Sequence, residues 1–100
     1  MITTFTKQST ETYIIAFEYF GKMPFRATLV SATVSAIDIS DDSDASSIVL
    51  SSETATIVKA QARVRVKAGT SGKSYKITSA ATLSDGSVLE DEAIMEVENV

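Results

Sequence analysis

A chain of 100 residues with 44% hydrophobic and 22% charged residues has the length of one domain and the composition of a globular protein that folds unaided. It holds no Cys and no His, which removes disulfides, thiolate nucleophiles, imidazole bases and the usual zinc or copper ligands. Its 9 basic and 13 acidic residues give a net charge of −4, which argues against non-specific nucleic-acid binding, and no apolar run approaches the roughly 20 residues of a membrane helix.

Val, Ile, Thr, Tyr and Phe alternate with polar residues in short runs broken by Ser, Asp and Gly, the pattern of β-strands. Residues 1–11 are polar and lack a helical period, so they are expected to form an extended N-terminal arm able to pair at a sheet edge, with the domain proper spanning 12–100. The N-terminus has neither the basic-then-apolar order nor the cleavage site of a secretory signal, so the chain is expected to begin in a cytoplasm. Tyr13 to Phe20 is the first strong strand; both of its faces are apolar apart from Glu18, so cover on both sides is expected. Gly21-Lys22-Met23-Pro24 makes a turn, and Phe25 to Ile37 reads as a long strand with Val30, Ala32, Val34 and Ala36 facing in.

Asp38 to Ser47 is a polar, acidic loop whose Asp and Ser side chains favour turns by bonding their own backbone. Asp38, Asp41, Asp42 and Asp44 are hard oxygen ligands of the kind Ca²⁺ takes, but the loop lacks the spacing of an EF-hand, so a solvated loop is the favoured reading. Ile48 to Leu50 and Thr54 to Val58 are expected to pair as a small hairpin. Ala60 to Lys67 is the clearest alternation, with Ala60, Ala62, Val64 and Val66 facing in and Arg63, Arg65 and Lys67 forming an outer basic stripe. Ser74 to Leu83 and Val88 to Val97 are the last two strands.

The register of that last pair follows from parity. Tyr75, Ile77, Ser79, Ala81 and Leu83 line one face, and Leu89, Asp91, Ala93, Met95 and Val97 line the more apolar face of the partner. Opposed residues share a face, so the loop must have an odd length, which excludes a two-residue Asp85-Gly86 turn. A loop of Ser84, Asp85 and Gly86, with Gly86 left-handed, places Tyr75 opposite Met95 and Ser79 opposite Asp91. About seven short antiparallel strands at this spacing predict an all-β fold, a single β-sandwich in preference to a small barrel.

Charge is sorted along the chain: Asp38 to Glu53 carries only acidic residues, Lys59 to Lys76 only basic ones, and Ile77 to Val100 only acidic ones. Arg63, Arg65 and Lys67 therefore have a counterpart in Glu90, Glu92 and Glu96, with Glu98 beyond, on the last strand. These residues are the candidate interface, because complementary charged faces set register and orientation between copies. Glu90, Asp91 and Glu92 do not form a catalytic pair, since neighbours on a strand point to opposite faces. Tyr13, Phe17, Tyr19, Phe20 and Phe25 could stack on a sugar, but aromatics on such a strand more often fill a core. The residues indicate no enzyme activity and no cofactor.

Gly69-Thr70-Ser71-Gly72-Lys73-Ser74-Tyr75, then Thr82-Leu83-Ser84-Asp85-Gly86 and the alternating apolar end, resemble a family of small phage and prophage structural proteins. That family has a Gly-Thr-x-Gly-x-x-Tyr turn and strand and a Thr-x-Ser-x-Gly hairpin loop. Lys7, Glu11, Tyr13 and Phe17 echo its start, with Ser9 where Pro is usual and Ala16 where Asp is usual. The Trp common in the strand matching Arg63 to Lys67 is missing. The resemblance implies an immunoglobulin-like sandwich and a virion component of the head–tail junction, decoration or tail-fibre attachment. Such a protein would assemble in the host cytoplasm with other virion proteins and copies of itself, without membrane or nucleic acid. The competing reading is an immunoglobulin-like recognition domain that binds a cell-surface sugar or protein through its acidic loop or an aromatic patch.

Overall fold

The computed structural model describes residues 3–99; Met1, Ile2 and Val100, at the ends of the expected arm and domain, lie outside the described residues. The elements are β1 (Thr3–Lys7), β2 (Tyr13–Glu18), β3 (Leu29–Asp38), β4 (Ser43–Asp44), α1 (Ser46–Val49), β5 (Thr56–Val58), β6 (Gln61–Val66), β7 (Ser74–Leu83) and β8 (Val88–Val97). They form a five-stranded sheet in the order β1-β8-β7-β3-β4 and a three-stranded sheet in the order β2-β6-β5. The core lies between them, with Val34, Ile77, Met95 and Val97 from the larger sheet meeting Phe17, Tyr19, Val64 and Val66 from the smaller. An all-β sandwich is therefore the architecture, as expected. The sequence pattern suggests about seven antiparallel strands; among the described residues there are eight, and β1 runs parallel to β8. No hairpin links the first and last strands, so nothing forces them to be antiparallel.

The β7–β8 hairpin has the register that parity demands, Tyr75 opposite Met95 and Ser79 opposite Asp91. Leu83 N–H donates to Ser87 O at 2.8 Å, which leaves Ser84, Asp85 and Gly86 as the loop, and Gly86 sits at φ +88°. Ser79 is fully buried by this register. Its hydroxyl accepts the Tyr19 O–H at 2.8 Å across the core, so neither polar atom is left without a partner.

Three local expectations are corrected. The strand expected from Phe25 begins at Leu29, and a bulge between Leu29 and Ser31 reverses the facing, so Leu29 is buried while Val30 is exposed. The hairpin expected over Ile48–Val58 does not form. Asp44 accepts the Ser46 N–H (3.0 Å) and Ser46 Oγ accepts the Ala36 N–H (2.9 Å), which winds residues 46–49 into the single turn α1. β5 then pairs with β6. Finally, β2 is covered on one face only: it is the edge of the smaller sheet, and Ile14 remains 54% exposed.

The two sides of the sandwich differ. On one side residues 50–55 stitch the sheets together, with Ser51 N–H donating to Arg65 O at 3.0 Å and Val34 N–H to Glu53 O at 2.8 Å. On the other, β1 and β2 face each other across an open seam. Residues 3–7 of the expected arm lie in the chain's own sheet as β1, and Lys7 turns inward. Its ammonium donates to Ala68 O (2.6 Å) and Gln8 O (2.7 Å), while burial pushes its pKa below the usual lysine value against a smaller opposing effect of Glu11. An inward charge of this kind discourages other strands from pairing further along that edge.

The Gly69–Tyr75 corner clamps the end of the larger sheet. Thr70 N–H donates to the Tyr75 hydroxyl (3.0 Å), Gly72 N–H to Val97 O (2.8 Å), and Val97 N–H to Lys73 O (3.0 Å). Gly69 sits at φ +95°, and a Cβ there would lie 2.7 Å from Val97 Cγ2; at Gly72, φ +89°, a Cβ would meet nothing within 4 Å. Both Gly→Ala changes therefore carry the backbone cost of about 1–2 kcal/mol, and only Gly69→Ala adds an overpacking cost of about 1–3 kcal/mol. Urea unfolding of the two variants should show Gly69→Ala clearly the less stable; equal midpoints would remove the role given to the Gly69–Val97 contact.

Candidate assembly interface

β6 is the central strand of the smaller sheet, so its alternate side chains must point either into the core or straight out. Ala62, Val64 and Val66 point in, and Arg63 and Arg65 point out. On the outer face Arg65 lies opposite Ile14, Arg63 between Ala16 and Thr56, and Gln61 between Glu18 and Val58. The Arg63 guanidinium donates to Gln61 Oε1 (3.0 and 2.8 Å), and Gln61 Nε2 donates to Glu18 Oε2 at 2.7 Å, which fixes Arg63 along the strand. Those bonds from Gln61 and from Phe20 N–H hold the Glu18 carboxyl below its usual range. Lys67 lies just past the end of β6 and is half-buried, so the basic stripe of the structure is chiefly Arg63 and Arg65. A shallow depression of about 360 Å³ beside them is walled by Ile14, Thr56 and Val58.

Glu90, Glu92 and Glu96 lie on the outer face of the larger sheet, opposite Ala80, Thr78 and Ser74 of β7. The next strand adds Ser31, Thr33 and Ser35, and Lys76 of β7 stands on the same face between Thr78 and Ser74, opposite Ile94, so the acidic row borders small side chains and one cation. The basic and acidic rows thus occupy opposite outer faces of the sandwich, with the core between them. They cannot pair within one chain.

The acidic loop is internally occupied. Asp38 Oδ1 accepts Ser40 N–H (3.0 Å) and Oγ–H (2.7 Å), Asp41 Oδ1 accepts Ser43 N–H (3.0 Å) and Oγ–H (2.6 Å), and Asp38 Oδ2 meets Lys73 Nζ at 2.6 Å. Among the described residues no cluster of three or more carboxylates converges on a metal position. Among them, too, no helix is long and apolar enough to cross a membrane.

The aromatic residues divide. Phe17 and Tyr19 are core, and Tyr13 is half-buried against Phe5 with ring centroids 6.3 Å apart. Phe20 and Phe25, on the β2–β3 loop, are 80% and 90% exposed. The sequence placed both in strands; the signal that could have set them apart is their position on either side of Gly21 and Pro24, where the chain must turn. Near this loop the open seam forms a groove of about 690 Å³ between β1, β2 and β8.

A small all-β sandwich whose distinctive chemistry is spread over two outer faces and an exposed aromatic loop has the build of a structural protein that works by surface contact. Residues 7–96 match the family model described as podophage GP4 fiber-tail adaptor protein gp77, and the chain belongs to that family, a family of small phage virion structural proteins. No curated protein and no solved structure matches it, so an immunoglobulin-like fold is an expectation from the resemblance alone, while the sandwich itself is observed.

The Lys73 ion pair, with the Ser40 bonds, holds the Asp38 carboxyl down to about 2 from its usual 3.8. A depressed carboxyl pKa stabilises the fold above the unfolded value, and that contribution fades as pH falls from about 4 toward 2. Asp38→Asn should therefore lower the melting temperature at pH 7 and converge with the unmodified protein near pH 2. Parallel melting curves over that range would show that Asp38 carries no such stabilisation.

Proposed function

We propose that this chain is a non-enzymatic adaptor in a phage or prophage particle that helps fasten a tail fibre to the tail. It meets neighbouring virion proteins and copies of itself through its charged outer faces. The family description supports the attachment role over the neck or decoration positions. One observation carries the surface assignment: Arg63 and Arg65 stand on one outer face and Glu90, Glu92 and Glu96 on the opposite one, so each copy offers both halves of a complementary contact. Ile14, left uncovered on the basic face, adds apolar area that a neighbour would bury. In this reading assembly takes place in the host cytoplasm, and neither membrane nor nucleic acid takes part.

Recognition of a sugar or protein through the acidic loop is less well supported, because Asp38, Asp41 and Asp44 already accept bonds from their own loop. The basic face can be tested directly. Arg63→Glu with Arg65→Glu changes two exposed side chains; losing the Arg63–Gln61 bonds beside Glu18 should cost about 1 kcal/mol and leave the fold intact. Incorporation into particles, measured by quantitative mass spectrometry against the major capsid protein, should fall at least tenfold. Normal incorporation of a folded double variant would remove the charged face from the assembly contact.

A further inference from the structure

The β2–β3 loop presents two features that the charged faces do not use. Phe25 is 90% exposed, and the Arg26 guanidinium carbon lies 5.2 Å from its ring centroid. Arg26 has φ +68°, a backbone region that side-chain-bearing residues seldom occupy, and the turn is closed by Ala27 N–H donating to Pro24 O at 3.0 Å. The loop therefore projects a Phe ring and an Arg side by side, residue types enriched in protein interfaces relative to the rest of the surface.

The open seam has the complementary chemistry. Among the described residues β1 pairs with β8 from Ala93 onward, and beside β2 the two sheets part around the groove. The groove is floored by Phe5, Ile15 and Phe17 and rimmed by Glu18, Asp91 and Glu92. Lys22 answers Asp91 at 3.3 Å, and Glu18 accepts bonds from Gln61 and from Phe20 N–H, whereas among the described residues no cation forms an ion pair with Glu18 or Glu92. Apolar floor and acidic rim match an incoming Phe–Arg pair in both shape class and sign. Within one chain Phe20 and Lys22 line the groove, while Phe25 stands outside it.

We infer that Phe25 and Arg26 of one copy dock into the seam groove of a second copy, Phe25 on the apolar floor and Arg26 against the acidic rim. Knob and groove are different surfaces of the same chain, and the inferred contact is head-to-tail, with a different neighbour at each, rather than a reciprocal exchange between two copies. It joins successive copies into a ring if the rotation closes and a filament if it does not. This contact is independent of Arg63 and Arg65.

Sedimentation velocity of the purified full chain over a range of concentrations tests it. The unmodified chain should associate beyond a dimer. Phe25→Ala removes the ring, Arg26→Gly removes the cation at a backbone position glycine favours, and Thr3→Arg places a cation at the exposed mouth of the groove. Each should weaken association about 30-fold or more, with circular dichroism melting curves establishing that each still folds. A mixture of Phe25→Ala, which keeps the groove, and Thr3→Arg, which keeps the knob, should form a one-to-one dimer that grows no further. A chain that stays monomeric at every concentration, or a mixture that forms no dimer, overturns the inference. If association survives Phe25→Ala but is lost in Arg63→Glu with Arg65→Glu, the charged faces join the copies and the knob does not. If Phe25→Ala self-associates normally but fails to enter particles, the groove's occupant is another virion protein and the inference again fails.

Discussion

The three-residue turn at Ser84–Gly86 is the constraint on which most of the structure depends. Side chains alternate with period two, so moving the β7–β8 register by one residue would exchange the faces of the last strand. Glu90, Glu92 and Glu96 would then enter the core, and Ala93, Met95 and Val97 would face solvent. The left-handed Gly86 and the Leu83–Ser87 hydrogen bond hold the register at one end. At the other, the Gly69–Tyr75 corner ties Val97 to Lys73 and Gly72. A long two-stranded ribbon pinned at both ends can carry charge on one face without losing its packing on the other.

The core is arranged around that ribbon. Ser79 is a polar residue at a position the register sends inward, and it is tolerable there because Tyr19, from the opposite sheet, supplies a hydroxyl at 2.8 Å. A buried hydrogen-bonded pair of this kind fixes how the two sheets sit across from each other, since an apolar contact would permit sliding. Lys7 does similar work at the rim: its ammonium gathers carbonyl oxygens from the segments following β1 and β6. The first strand is thus tied to the body of the fold although it pairs with only one neighbour.

What the sequence disclosed and what it hid divide along physical lines. β6, β7 and β8 were legible because each is covered on one face and bare on the other, so composition alternates as cleanly as environment does. The basic and acidic rows were legible for the same reason. Alternation failed at Val30, where a bulge shifts the period. It also failed at β2, whose apolar outer face looked like a strand covered on both sides but belongs to an edge with nothing over it. α1 was hidden because a four-residue helical turn has too few residues for a period; side-chain bonds from Asp44 and Ser46 create it. The exposure of Phe25 was hidden for a different reason. An aromatic beside a strand pattern is usually core, and only the bulge and turn that start β3 late leave it in solvent.

These departures from pattern fall where the molecule has the most to offer a neighbour. Ile14 on the uncovered face of β2, Phe25 on the loop that the late start of β3 leaves free, and the seam groove between β1, β2 and β8 all depart from an ideal sandwich. A closed, symmetric sandwich would bury or cap each of them. Here backbone bonds of residues 50–55 stitch the sheets together on one side, while on the other the side chains of Lys7 and Lys22 reach across to Ala68 O and Asp91 beside an open, partly apolar groove. The opposed faces add a second asymmetry of charge. An object with unlike surfaces in unlike directions cannot satisfy itself by two-fold pairing of one patch with its own copy. Contacts built from such surfaces are heterologous, each patch meeting an unlike one on its neighbour.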